Sequence, residues 1–121
     1  MTTAEHFKGT YGTMYYVKDM GKAVNFYKEN LGFKARMESP DWSEIEQPNG
    51  QVLCLHKAHP EMKTLPGGIM ILNVVKMKDL LPKLKASGVQ LLGEPHNVHA
   101  EDFTVDFTDL DGNRINIYGT M

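Results

Sequence analysis

The stretch from Tyr11 to Lys34 runs an alternating segment into a helix start at Asp19, a Phe26-Tyr27 pair and a stop at Leu31-Gly32-Phe33. The same order returns, more faintly, about 57 residues later, from Asn73-Val74-Val75 to Ser87-Gly88-Val89, a spacing that suits a repeated supersecondary unit. Two copies fill the 121 residues. The chain is therefore expected to be one domain made of two related halves, large enough to bury a core without disulfides.

In the first half, Gly12, Met14 and Tyr16 alternate with Thr13, Tyr15 and Val17, the period of a strand. Asp19 is placed to cap a helix whose apolar face carries Met20, Val24, Tyr27 and Leu31, and Gly32 ends it. Phe33 to Met37 is predicted as the next strand, broken by Ser39-Pro40. Trp42–Gln47 and Gln51–His56 then flank the turn Pro48-Asn49-Gly50. Pairing Gln47 with Gln51 predicts Glu46 opposite Val52, Glu44 opposite Cys54 and Trp42 opposite His56. Ile45, Leu53, Ser43 and Leu55 then lie under the helix, and Glu44, Cys54 and His56 look the other way.

The second half repeats this plan after a turn-rich linker over 58–67, with module 1 spanning about 10–57 and module 2 about 68–119. Gly68, Met70 and Leu72 alternate with Ile69, Ile71 and Asn73, and we expect Met70 and Leu72 to line the concave side with Met14 and Val52. Pro82 places the second helix start near Lys78 or Asp79. A short strand is predicted around Gln90 to Leu92, followed by a loop over 93–101 containing His96, His99 and Glu101. The final hairpin turns at Leu110-Asp111-Gly112. Phe103, Val105, Phe107, Ile115 and Ile117 face the helix, while Thr104, Asp106, Arg114, Asn116 and Tyr118 face the concave side. The fold class is α+β: two β-α-β-β-β modules forming a half-open, barrel-like cup with helices outside.

Composition narrows the function classes. The formal charge of -2, with lysines scattered among acids, provides no basic face for nucleic acid or anionic lipid. No apolar run is long enough to span a membrane, and the N-terminus lacks a signal-peptide core, so a cytoplasmic location is expected. Cys54 is the one cysteine, which excludes an internal disulfide and a thiolate zinc cluster. His56 stands two residues from it on the same strand face, roughly 6.5–7 Å along the strand, too far for a direct thiol–imidazole hydrogen bond.

Three segments resemble the vicinal oxygen chelate superfamily, the group of glyoxalase I, extradiol dioxygenases and bleomycin-binding proteins. They are YYVKDMGKAVNFYKENLGFK (Tyr15 to Lys34), DWSEIEQPNGQVLCLHK (Asp41 to Lys57) and TDLDGNRINIY (Thr108 to Tyr118). The resemblance implies a cup between the modules and a homodimer. In metal-dependent members it implies a His, Gln or Glu ligand on each of the first, fourth, fifth and eighth strands. Those four places fall here on Gly12, Cys54, Gly68 and Asn116, a poor donor set for a divalent ion.

The reading is a protein with no metal and no cofactor that binds a small, partly apolar or aromatic molecule. Tyr16, Trp42, Glu44, Cys54, His56, Met70, Asp106, Arg114, Asn116 and Tyr118 are the expected ligand contacts. Two alternatives stand beside it. One is a lyase, isomerase or dioxygenase with a metal held by Glu44, His56 or Asp106. The other is metal-free proton transfer by Glu44 and His56 as acid and base.

Overall fold

The computed structural model describes residues 3–6, 11–62 and 67–121. Most of the N-terminal arm and the Leu65-Pro66 part of the linker lie outside these. A single 3-10 turn, Thr3–His6, precedes the first strand.

In the first half, β1 is Gly12–Val17, and Asp19 caps α1 (Met20–Asn25) by accepting the Lys22 N–H at 3.0 Å. The helix closes in a π-helical turn, Phe26–Asn30, instead of a last α turn. This wider turn buries both Phe26 and Tyr27 and leaves Leu31 partly exposed. Gly32 takes the left-handed conformation (φ +73°) that lets Phe33 N–H return to the Tyr27 carbonyl. Phe33 is thereby spent on the helix end, and β2 runs Lys34–Glu38. Strands β3 (Trp42–Glu46) and β4 (Val52–Lys57) pair in the register expected from the Pro48-Asn49-Gly50 turn.

The second half contains β5 (Met70–Val74), α2 (Met77–Ala86), β6 (His96–His99), β7 (Asp102–Thr108) and β8 (Arg114–Thr120). Each half forms a four-stranded sheet with the same order, β1-β4-β3-β2 and β5-β8-β7-β6. The outer pair β1/β4, like β5/β8, is parallel and the rest antiparallel. The sheets do not close into a barrel. One apolar cluster spans both halves, with Val24, Tyr27, Ile45 and Leu53 from the first and Met77, Leu84, Phe107 and Ile115 from the second.

Three expectations change. Met70 and Leu72 lie beside Ile115 and Ile117 in the parallel β5/β8 register, so they face α2, and Ile71 and Asn73 face outward. Residues 93–101 are not all loop: His96–His99 forms a strand because β7 offers it an antiparallel edge, while Leu91 makes only a single bridge to Phe107. Finally, α2 starts at Met77 and carries Pro82 inside it. The amide that proline lacks would have reached the Lys78 carbonyl, on the exposed side of the helix where water can replace it.

Candidate functional site

The outward face of the first sheet brings together Met14, Tyr16, Trp42, Glu44, Cys54 and His56. The rings form a small wall: Tyr16 and His56 are tilted at 5.2 Å between centroids, and Trp42 meets His56 edge-on at 5.7 Å. His56 is exposed, its Nδ1 lying 2.8 Å from the Lys57 carbonyl oxygen.

Glu44 is buried beside that wall and fully engaged. The Trp42 indole N–H donates to Oε2 at 2.9 Å, and the Tyr11 hydroxyl lies 2.8 and 3.0 Å from the two oxygens. Arg36 approaches Oε1 with Nε at 2.9 Å and Nη2 at 2.8 Å. A carboxylate has about four acceptor sites, so little capacity remains for a substrate proton. The Trp42 hydrogen bond first, then Tyr11 and Arg36, holds the Glu44 carboxyl below the usual range despite its burial. Burial, reinforced by the Glu44 charge, pushes the Cys54 thiol up.

Tyr11 and Arg36 are the members of this site that sequence reasoning missed. Arg36 falls at a bulge between Ala35 and Met37, where it has no cross-strand partner. No alternation rule assigns such a residue to a face. Tyr11 sits just before β1, 33 positions from its carboxylate partner.

The second sheet carries its own cluster. Arg114 donates to Asp106 at 2.7 Å, and the Asn116 amide donates at 2.5 Å to both Asp106 and Thr104. Tyr118 donates to Asp102 at 3.2 Å; burial, then the Asp102 charge, raises its phenol. A shallow pocket of about 260 Å³ runs over this face and adds His96 and Glu94 to Asp106, Arg114 and Asn116. Met70 stands apart from both groups, in the core. No hydrogen bond among the described residues runs between the two outward polar faces.

The four strand positions singled out by the resemblance are now placed. Gly12 lies against β4 so closely that a Cβ would collide with the Val52 carbonyl. Cys54 is buried, Gly68 precedes β5, and the Asn116 amide is already engaged. Among the described residues no three His, Cys, Asp or Glu side chains are grouped to hold a metal ion.

A sequence model of the glyoxalase/bleomycin resistance protein/dioxygenase superfamily matches residues 9–117. The chain belongs to that superfamily. It is 29% identical over 106 residues to the Bacillus subtilis (strain 168) protein YetH, covering 81% of this chain and 87% of YetH. Its fold matches a superfamily member from Sphaerobacter thermophilus with a TM-score of 0.79 at 21% identity, over 94% of this chain and 98% of that one. It also matches a lactoylglutathione lyase from Agrobacterium tumefaciens with a TM-score of 0.74 at 16% identity, over 93% and 94% of the two chains. Identities this low carry the superfamily fold and leave the reaction open. No helix among the described residues is long and apolar enough to cross a membrane.

Proposed function

We propose that the protein binds a small, partly apolar or aromatic molecule without a divalent ion. The observation that carries this reading is the Tyr16–His56–Trp42 wall beside a carboxylate whose charge is already met by Trp42, Tyr11 and Arg36. Such a surface offers planar contact with little free basicity. Glu44 acts here as the residue that orients Trp42. The donor set Gly12, Cys54, Gly68 and Asn116 does not suit a hard or borderline divalent ion, so the lyase activity named for one structural relative is not carried over.

A second copy of the chain would complete the cup. Among the described residues β1 and β5 are sheet edges with no further strand beside them; Tyr11 and Met14 at the first and Ile69 and Ile71 at the second are exposed. Joining β1 of one protomer to β5 of its partner would set the aromatic wall beside the face carrying Asp106, Arg114, Asn116 and Tyr118.

Elemental mass spectrometry of untagged protein purified without chelator tests the metal-free reading, followed by a thermal-shift screen of small aromatic compounds. We expect no stoichiometric metal and a set of stabilising aromatics whose effect is lost in Trp42→Ala. Near-stoichiometric zinc, nickel, manganese or iron would overturn it.

A further inference from the structure

The two halves are related residue by residue, and two of the equivalent contacts are broken. Both hairpins close with the same hydrogen bonds, Gln47 N–H to Gln51 and Gly50 N–H to Gln47 in the first, Asp109 N–H to Asn113 and Gly112 N–H to Asp109 in the second. Gln47 therefore corresponds to Asp109. Both helices end with a glycine and a return bond, Phe33 N–H to Tyr27 and Val89 N–H to Leu84, so Tyr27 corresponds to Leu84. In the parallel pairs Tyr15 lies beside Leu55 and Leu72 beside Ile117, so Tyr15 corresponds to Leu72.

Both tyrosines of the first half cross into the second. Tyr27 donates to Asp109 at 2.8 Å, and Tyr15 donates to the Arg114 carbonyl and accepts the Met70 N–H, each at 2.8 Å. Their rings are fully buried. Their counterparts Leu72 and Leu84 lack both the ring and the hydroxyl, and where they point toward the first half a cleft of about 470 Å³ remains. Gln47, the counterpart of Asp109, is one of its lining residues, with Nε2 3.9 Å from the Met70 sulfur, and no described group donates to its side-chain oxygen Oε1. Leu80, Phe33 and Phe107 add apolar wall, and no charged side chain among the described residues lines the cleft.

From this we infer a second small-molecule site, between α2 and the first hairpin, for a neutral phenol-sized compound. Its ring takes the place of the missing tyrosine ring against Leu72 and Leu84, and its hydroxyl donates to the Gln47 side-chain oxygen Oε1. The volume lies in the range of small-molecule pockets, about 300–1,000 Å³. An uncharged lining disfavours ions, whose burial without a partner is costly. The site is separate from the Trp42 wall, which faces outward on the opposite side of the first sheet.

The test is a titration of methyl-labelled full-length protein with p-cresol, the tyrosine side chain as a free molecule, followed by NMR. We expect saturable shifts at the Leu72, Leu80 and Leu84 methyls that persist in Trp42→Ala. Leu72→Tyr, which restores one of the missing rings, should weaken binding about tenfold or more. In wild-type protein p-xylene, which replaces the hydroxyl by a methyl, should bind several-fold more weakly, a comparison that needs no variant to fold. Absence of saturable shifts at these methyls, equal binding of p-xylene, or binding lost only in Trp42→Ala would each overturn the inference.

Discussion

Tyr27 and Asp109, 82 positions apart in sequence, meet at 2.8 Å in the core, with the phenol donating to a buried carboxylate. Asp109 also accepts from the Asn113 amide and from the backbone N–H groups of Asp111 and Asn113. It thus ties the π-helical turn after α1 in one half to the hairpin of the other. Burial, then the Asp109 charge, pushes the Tyr27 phenol far above its ordinary value, so the hydroxyl remains a donor throughout the accessible range. Tyr27→Phe removes one donor from a buried carboxylate and should lower stability by about 1–3 kcal/mol in urea unfolding. An unchanged midpoint would show that this hydrogen bond adds nothing to the junction between the halves.

Tyr15→Phe should be at least as damaging, because one hydroxyl serves two backbone groups. The Met70 N–H loses its acceptor and the Arg114 carbonyl its donor. A cost of about 1–3 kcal/mol is expected. Faster hydrogen exchange at Met70 than in wild type, measured at matched distance below each unfolding midpoint, would locate the loss. Unaltered exchange there would contradict the contact.

The Glu44 carboxyl has a folded-state pKa below its ordinary 4.5. A depressed acid contributes stability that is full above the ordinary value and is lost as pH falls through the folded value. Wild-type protein should therefore lose Tm below about pH 4.5, and Glu44→Gln should flatten that part of the profile while lowering Tm at neutral pH. Parallel profiles would mean that the Trp42, Tyr11 and Arg36 contacts add nothing.

Cys54 should react slowly. Its thiol is buried and raised above its ordinary range, so little thiolate exists near neutral pH. Alkylation by iodoacetamide in native protein is expected to be far slower than in denaturant. Comparable rates would make Cys54 an accessible thiol and a candidate nucleophile.

Lys76 precedes α2 in the left-handed conformation (φ 54°, ψ 51°) and makes no side-chain cap, where its counterpart Asp19 does. The conformation costs an L-residue about 1–2 kcal/mol. Lys76→Gly relieves it at the expense of unfolded-state entropy, so a gain of about 0.5–1 kcal/mol is expected. A fall in Tm would show that the lysine side chain itself holds the helix start.

The first hairpin was legible because a turn with a left-handed Gly50 (φ +85°) sets the register of everything beside it. The superfamily fold followed from the repeat. The facing of strand β5 was not legible: Ile69 and Ile71 on one side and Met70 and Leu72 on the other are equally apolar, and only pairing with β8 decides which side is core. Strand β6 has no alternation at all and exists because β7 offers an edge. At the site, Trp42, Glu44, Cys54 and His56 were found from parity, whereas Arg36 depends on a bulge and Tyr11 on a contact between distant segments.

Gly12 has a bearing on the history open to this chain. Because any Cβ there would strike the Val52 carbonyl, a histidine or glutamate cannot enter at position 12 until β1 has shifted along or away from β4. A metal ligand at this position is therefore not one mutation away. A first change must loosen a sheet edge, at a cost in stability, before a second can be of any use.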